Sequence, residues 1–274
     1  MTINWFPGHM VKARQEIKEN LKLIDIVIEI VDARAPESSR NRELEELCQR
    51  KPILMVLNKR DLVEKKDLDK WLNRLHNEGH AAVAINAVTG EGLASMLKGV
   101  EKLYQPVVEA MLEKNRRRRP PRVMIVGIPN VGKSTFLNAI NKKKVVRTGP
   151  MPGVTRGKQW VRIEGRIDLL DTPGLMWPRI EKPEQGLKLA ALGCLGDKAY
   201  SNSQVAFFII DCLKRKSPGA LEKAYGVEEQ NEPGIFLESI VLGPGNIDEG
   251  LDRKALILIT GFRKGQLAKI TLDD

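Results

Sequence analysis

Gly127-Ile128-Pro129-Asn130-Val131-Gly132-Lys133-Ser134 spells G-x-x-x-x-G-K-S. The apolar run Arg122 to Ile128 leads into it, and a helical pattern opens at about Lys133. A strand is therefore predicted before the loop and a helix after it, the setting in which this spacing binds phosphate. Glycines let successive backbone N–H groups turn inward and cradle phosphate oxygens at a helix N-terminus. On this reading Asn130, Val131, Gly132, Lys133, Ser134 and Thr135 line the phosphates. Lys133 reaches the β- and γ-phosphates and Ser134 holds Mg²⁺.

Upstream, the strand-like run Pro52 to Asn58 ends in Asn58-Lys59-Arg60-Asp61, an N-K-x-D motif. The Asp61 carboxylate can accept two N–H groups from a guanine edge, where adenine presents an acceptor and is rejected. Asn58 is expected on the other side of the base, with the stem of Lys59 covering its face. A third strand, Ala81 to Asn86, ends in Asn86-Ala87, whose Ala N–H is expected to meet guanine O6; Asn86 stands where a Ser is common. Downstream, Gln159 to Glu164 and Arg166 to Leu170 read as a hairpin about Gly165. Asp171-Thr172-Pro173-Gly174 follows it, D-x-x-G, with Asp171 expected to support Mg²⁺ and the Gly174 N–H to contact the γ-phosphate. Thr155, between the phosphate-loop helix and the hairpin, is the candidate for the loop that senses Mg²⁺ and γ-phosphate. Asn130 sits three residues before Lys133, as in related GTPases that bind K⁺ beside the phosphates, and that likeness makes it a candidate ligand for K⁺.

The order of these pieces is unusual. Base-reading motifs precede phosphate motifs, as if a common GTPase chain had been cut after D-x-x-G and its old ends joined. Domain termini often lie close together, so such a join is feasible. The charged connector Glu113 to Pro121, within 105–121, is its expected place. The β-branched, apolar run Ile24 to Asp32 reads as the first, buried strand; with strands numbered in chain order, the expected spatial order is 5-6-4-1-2-3, parallel except for strand 5. The reading is thus an α/β fold: a circularly permuted phosphate-loop GTPase domain over 1–175 with a six-stranded, mostly parallel sheet. An all-α domain over 176–274 follows, with apolar helical faces at Val205, Phe208, Ile209, Cys212 and Leu213 and at Leu251, Ala255, Leu258, Ile259 and Phe262.

The chain has 274 residues and a net charge of +10. Residues 1–175 hold 32 Lys and Arg against 21 Asp and Glu, whereas 176–274 hold 13 against 14. No acidic residue occurs from Lys114 to Ile163, a stretch with 14 basic ones that include Arg116 to Arg119 and Lys142 to Lys144. Such bias points to a polyanionic partner, nucleic acid before membrane. No apolar run reaches the length of a membrane span, and the opening residues lack the apolar core of a signal peptide. Three cysteines, Cys48, Cys194 and Cys212, in no metal-like spacing fit a reducing, cytoplasmic compartment.

These residues resemble the YlqF-like, ribosome biogenesis GTPase A family of circularly permuted GTPases. The resemblance covers most of the chain. It runs from Trp5-Phe6-Pro7-Gly8-His9-Met10 through Asp32-Ala33-Arg34-Ala35-Pro36, Arg40-Asn41 and Asn58 to Asp61. It continues through Gly127 to Thr135, Gly153-Val154-Thr155 and Asp171 to Gly174, to Phe262-Arg263-Lys264-Gly265. It implies GTP and GDP as ligands, the large ribosomal subunit or its precursor as partner, rRNA contact through the helical domain, and neither membrane nor DNA. Residue 175 is Leu, where Ras-like proteins carry the Gln that orients the attacking water. His9, in the opening motif, is the candidate for that role, since a His can hydrogen-bond water at neutral pH. The expected catalytic set is then His9, Lys133, Thr155 and Gly174. Two other readings stay open at this point: a nucleotide-gated RNA-binding module with incidental hydrolysis, and a signalling GTPase with protein partners only.

Replacing Asp61 by Asn puts a donor against the guanine N–H groups. Losing charged hydrogen bonds in a pocket costs about 1.5–3 kcal/mol, so GTP affinity is expected to fall more than tenfold while xanthine nucleotides gain. Titration of both nucleotides against this variant checks the base assignment; unchanged GTP binding would refute it.

Overall fold

The structure, a computed structural model, describes residues 15, 17–48, 51–141, 145–148, 159–171, 180, 182–229, 232–240 and 250–274; at 141, 145–148, 159 and 171 it describes the backbone alone. A seven-stranded sheet runs in the order β3-β2-β1-β4-β7-β6-β5. Its strands are β1 (Ile26–Asp32), β2 (Ile53–Asn58), β3 (Ala81–Ala84), β4 (Arg122–Val126), β5 (Val145–Thr148), β6 (Gln159–Ile163) and β7 (Ile167–Asp171). The six strands expected from the sequence occur in the expected order. β5 is an addition at the edge, paired antiparallel to β6 from Val145 opposite Ile163. β1 pairs parallel with both β2 and β4, and β4 with β7. β6 is antiparallel to β7 through the three residues 164–166, in which Glu164 and Gly165 have positive φ, 49° and 71°, and the Arg166 N–H donates to the Ile163 carbonyl at 2.8 Å. That is the turn geometry whose twist matches paired strands.

β1 is buried at every position, as expected of a central parallel strand covered on both faces. On one face Ile26, Ile28 and Ile30 meet Met96, Leu97 and Val100 of α3 (Leu93–Glu113) and Phe136 and Ile140 of α4 (Lys133–Asn141). On the other, Val27 meets Leu44 and Leu47 of α1 (Glu43–Cys48), while Val31 meets Leu68, Trp71 and Leu75 of α2 (Lys65–Asn77). α1 escaped the sequence reading because it is short; Asn41 Oδ1 accepts the Glu43 N–H at 3.0 Å and three glutamates follow at its positive end. α3 runs on through Pro106 to Glu113, so the connector to β4 is shorter than the expected 105–121. Leu103, Val107 and Met111 pack on the core there, and that packing outweighs the one hydrogen bond proline removes.

Beyond β7 every regular element among the described residues is helical: α5 (Pro183–Ala191), α6 (Asn202–Lys216), α7 (Ala220–Tyr225), α8 (Pro233–Ser239) and α9 (Leu251–Arg263). Val205, Ile209, Cys212 and Leu213 of α6 and Ala255, Leu258, Ile259 and Phe262 of α9 are buried, as the periodicity predicts; Ala206 and Ile210 join them, and Phe208 is half-buried. Among the described residues no helix is long and apolar enough to cross a membrane.

β1 and β4 are neighbours whose onward connections leave in opposite directions, toward β2 and toward β7. Such a switch point opens a crevice at the carboxyl ends of the strands. Behind that crevice, Glu29 of β1 is buried and its Oε1 accepts the Asn41 N–H at 2.7 Å. Arg40 lies 3.9 Å away and is shared with Glu37 and Glu45. Burial pushes the Glu29 carboxyl up to about 7, against the pull of the Asn41 amide and Arg40.

Between pH 4.5 and 7 the folded chain therefore binds more protons at Glu29 than the unfolded chain does, and stability falls as pH rises through that window. The loss is on the order of 3 kcal/mol. Glu29→Gln, which mimics the protonated form, is expected to raise the melting temperature at pH 8 and to have little effect at pH 5. Thermal unfolding at both values checks this; an equal shift at each pH contradicts it.

Candidate nucleotide site

The loop between β4 and α4 begins against β1. A Cβ on Gly127, at φ 154°, would sit 2.5 Å from the Ile30 carbonyl oxygen, so only glycine fits. Asn130 and Gly132 also have positive φ, 62° and 100°, which turns the intervening amides. The Lys133 ammonium donates to the carbonyls of Gly127 at 2.7 Å and Ile128 at 2.6 Å, folded back over its own loop. Burial pushes this lysine down to about 8. Ser134 and Thr135 are exposed at the first turn of α4. A cation deprived of water among turned amides fits an anion with several oxygens, and the exposed Ser134 hydroxyl beside it suits a hard cation bound to that anion.

The N-K-R-D loop after β2 and the Asn86-Ala87 loop after β3 stand next to it. Asn58, at the end of β2, is buried; its Nδ2 donates to the Val131 carbonyl at 2.8 Å and its Oδ1 accepts the Ala87 N–H at 3.0 Å. One side chain thus ties the phosphate loop to the loop after β3. The Ala87 amide, expected toward guanine O6, here meets Asn58. Asn86 Oδ1 accepts the N–H groups of Val88 at 2.9 Å and Thr89 at 3.2 Å, a role for which Asn is better shaped than Ser. Asp61 is exposed in the short 3₁₀ turn Arg60–Leu62, which the Arg60 N–H anchors to the Ile85 carbonyl at 3.1 Å.

Lys59 has φ 63°, and its ammonium lies between Asp32 Oδ2 at 2.8 Å and the Asn130 carbonyl at 3.0 Å. The fully buried Asp32 also takes a two-pronged contact from Arg34, Nε at 3.0 Å and Nη2 at 2.8 Å. Burial alone would raise the Asp32 carboxyl, but the charges of Arg34 and Lys59 hold it well below the usual carboxylate range. Asn130 Nδ2 donates to the Gly193 carbonyl at 2.6 Å, just beyond α5. A cleft of about 520 Å³ lies here, lined by Lys59, Asn130, Leu192, Gly193, Leu195 and Arg263 among others.

A family model described as 50S ribosome-binding GTPase matches residues 122–238, from β4 onward, which leaves N-K-R-D upstream of the match. The chain is 39% identical to Ribosome biogenesis GTPase A of Bacillus cereus over 100% of this chain and 94% of that protein. It is 42% identical to the Bacillus pumilus protein of the same name, over 100% and 99%. It belongs to the ribosome biogenesis GTPase A family. In fold it is similar to GNP-bound YlqF from T. maritima, with a TM-score of 0.65 and 24% identity over 95% of this chain and 97% of that one. Membership of this GTPase family makes the chain an enzyme that binds GTP and hydrolyses it.

Asn58, Lys59, Asp61, Asn86, Ala87, Asn130, Val131 and Gly132 lie at the carboxyl ends of β2, β3 and β4 or in the loops that follow, and Lys133, Ser134 and Thr135 form the first turn of α4. His9, Thr155, Gly174 and the side chain of Asp171 lie outside the described residues, as do Lys142 to Lys144. Sequence reasoning gave no role to Asp32, Gly193 or Arg263; the only signal for Asp32 and Arg263 was their place in the family resemblance. Of the Arg run, Arg119 makes a two-pronged pair with Asp25 at 2.7 and 2.9 Å, which leaves Arg116 to Arg118 as its exposed members.

With Lys133 near 8, about half of these side chains lack a proton at pH 8. A bound phosphate stabilises the charged form and restores it. GDP binding is therefore expected to take up about half a proton at pH 8 and much less at pH 7. Calorimetry in two buffers of different ionisation enthalpy reads this directly; equal heats at pH 8 would remove the assignment of Lys133 to the phosphates.

Proposed function

We propose that this chain couples GTP hydrolysis to assembly of the large ribosomal subunit in the cytoplasm, with the precursor particle and its rRNA as partners. The observation that carries the reading is the Asn58 tie, which joins the N-K-R-D loop to the G-x-x-x-x-G-K-S loop and to the loop after β3. The names of the Bacillus relatives support the ribosomal partner. Rims of basic charge support RNA: Arg116 to Arg118 are exposed on a stretch without acidic residues.

In this reading residues 1–175 form the GTPase domain and 176–274 a helical RNA-binding domain. Asp61 reads the base, Lys133 meets the β- and γ-phosphates, and the Gly174 amide meets the γ-phosphate. Ser134 and Thr155, with Asp171 in support, would hold Mg²⁺, which would supply charge neutralisation on the phosphate oxygens. Asn130 would hold K⁺ through its Oδ1, which would add to that neutralisation. Leu175 can neither donate nor accept, so His9 orients the attacking water when a particle is bound.

The test is GTP turnover with and without large-subunit precursor particles, in KCl and in NaCl, for the parent chain and for His9→Ala. Stimulation by particles, faster in KCl, is expected for the parent, and a tenfold or greater loss of stimulated turnover with retained GTP binding for the variant. Turnover indifferent to particles would overturn the assembly role. Equal rates in the two salts would remove the K⁺, and undiminished stimulation in the variant would remove His9.

A further inference from the structure

Asp32 belongs to no nucleotide motif, yet its carboxylate accepts four hydrogen bonds near the pocket. Its Oδ2 accepts from Lys59 Nζ and from Arg34 Nη2, each at 2.8 Å; its Oδ1 accepts from Arg34 Nε at 3.0 Å and from the Arg34 amide at 3.1 Å. Its own N–H is held by Ser39 Oγ at 3.0 Å. Two cationic arms leave this one buried carboxylate. Lys59 reaches the Asn130 carbonyl in the phosphate loop at 3.0 Å. Arg34 stands over the Phe262 ring at 5.4 Å and donates Nη1 to the carbonyls of Phe262 at 3.3 Å and Arg263 at 3.4 Å. Those are last-turn carbonyls of α9, past the end of its i→i−4 ladder, and the Phe262 carbonyl also accepts the Gly265 N–H at 3.0 Å.

The two arms close into a ring. The Arg263 guanidinium covers the end of α5, with Nη2 on the Ala190 carbonyl at 2.7 Å and Nε on Ala191 at 3.2 Å. Two residues on, the Gly193 carbonyl accepts from Asn130 Nδ2. Gly193 has φ 75°, and a Cβ there would lie 3.2 Å from the Arg263 guanidinium carbon, so the turn and the arginine fit each other closely. Asp32, Lys59, Asn130, the α5 turn, Arg263 and Arg34 thus form one circuit. Two of its members, Lys59 and Asn130, belong to the nucleotide loops.

We propose that Asp32 is a positioning residue for the GTPase site: it sets the Lys59 ammonium and, through Arg34, makes nucleotide occupancy and the docking of α9 one coupled equilibrium. The argument is electrostatic. A buried carboxylate with two cations cannot release either without leaving charge uncompensated in a poorly solvated place. A nucleotide that draws Lys59 or Asn130 to itself therefore changes what Asp32 and Gly193 hold, and both lead to the helices after β7. This inference rests on the assignment of Lys59 and Asn130 to the guanine-nucleotide pocket.

The experiment pairs GDP affinity with hydrogen exchange of residues 251–263, with and without GDP, in the parent and in Lys59→Met, Asp32→Asn and Arg34→Lys. In the parent, GDP should change α9 exchange at least threefold. Lys59→Met and Asp32→Asn should each weaken GDP tenfold or more, and the double variant should be no weaker than the worse single one, because Asp32 acts through Lys59. Arg34→Lys keeps a cation against Asp32 but loses the fork to α9, so GDP should still bind while α9 exchange no longer responds. Lys59 is partly exposed, so Lys59→Met tests the proposal even where Asp32→Asn fails to fold. GDP affinity unchanged in Lys59→Met would sink the site assignment beneath the inference. Weakened GDP with multiplicative effects, or an α9 response that survives in Arg34→Lys, would sink the positioning role alone.

Discussion

A single neutral amide holds the pocket together. Asn58 donates to Val131 and accepts from Ala87, so the ends of β2, β3 and β4 share one side chain. Nothing larger than a hydrogen fits on Gly132, where a Cβ would come within 2.2 Å of Asn58 Nδ2. That closeness is why the glycine of the phosphate loop and the asparagine of the base loop constrain each other, although they lie far apart in the chain. Both hydrogen bonds are buried, where an unmade bond is expensive, so the two loops keep one relative placement.

The permutation changes which parts of the chain are covalent neighbours without changing which are spatial neighbours. β1 and β4 sit side by side at the switch point, as in any doubly wound sheet. The chain that follows β7 becomes helical, and its buried faces join the apolar cluster on the Ile26, Ile28 and Ile30 side of the sheet. Arg34 and Asn130 then reach those helices by hydrogen bonds from two separate loops.

Much of this was legible in the sequence because the signals were local. Mostly apolar runs of strand length gave β1, β2 and β4, and Gly165 between two such runs gave the hairpin. G-x-x-x-x-G-K-S and N-K-R-D carry their chemistry within a few residues. What stayed hidden depends on distance. Asp32 reads as nothing more than the last residue of a strand; its partners come from positions 34 and 59, and theirs from 130, 262 and 263. Arg119 reads as one more charge in a basic run, yet it pairs with Asp25, 94 residues earlier. The four-residue β5 is too short for any periodicity to show, and only its pairing with β6 defines it.

β4 has a feature at each end: the exposed arginines 116–118 approach its amino end, and the phosphate loop leaves its carboxyl end. Five residues of strand span about 16 Å. That is about twice the screening length in physiological salt, so charge at one end is only faintly felt at the other. A polyanion seated on the arginines would neither repel the nucleotide's phosphates nor cover their entrance. Exchange of one guanine nucleotide for another could then proceed while the larger partner stays in place.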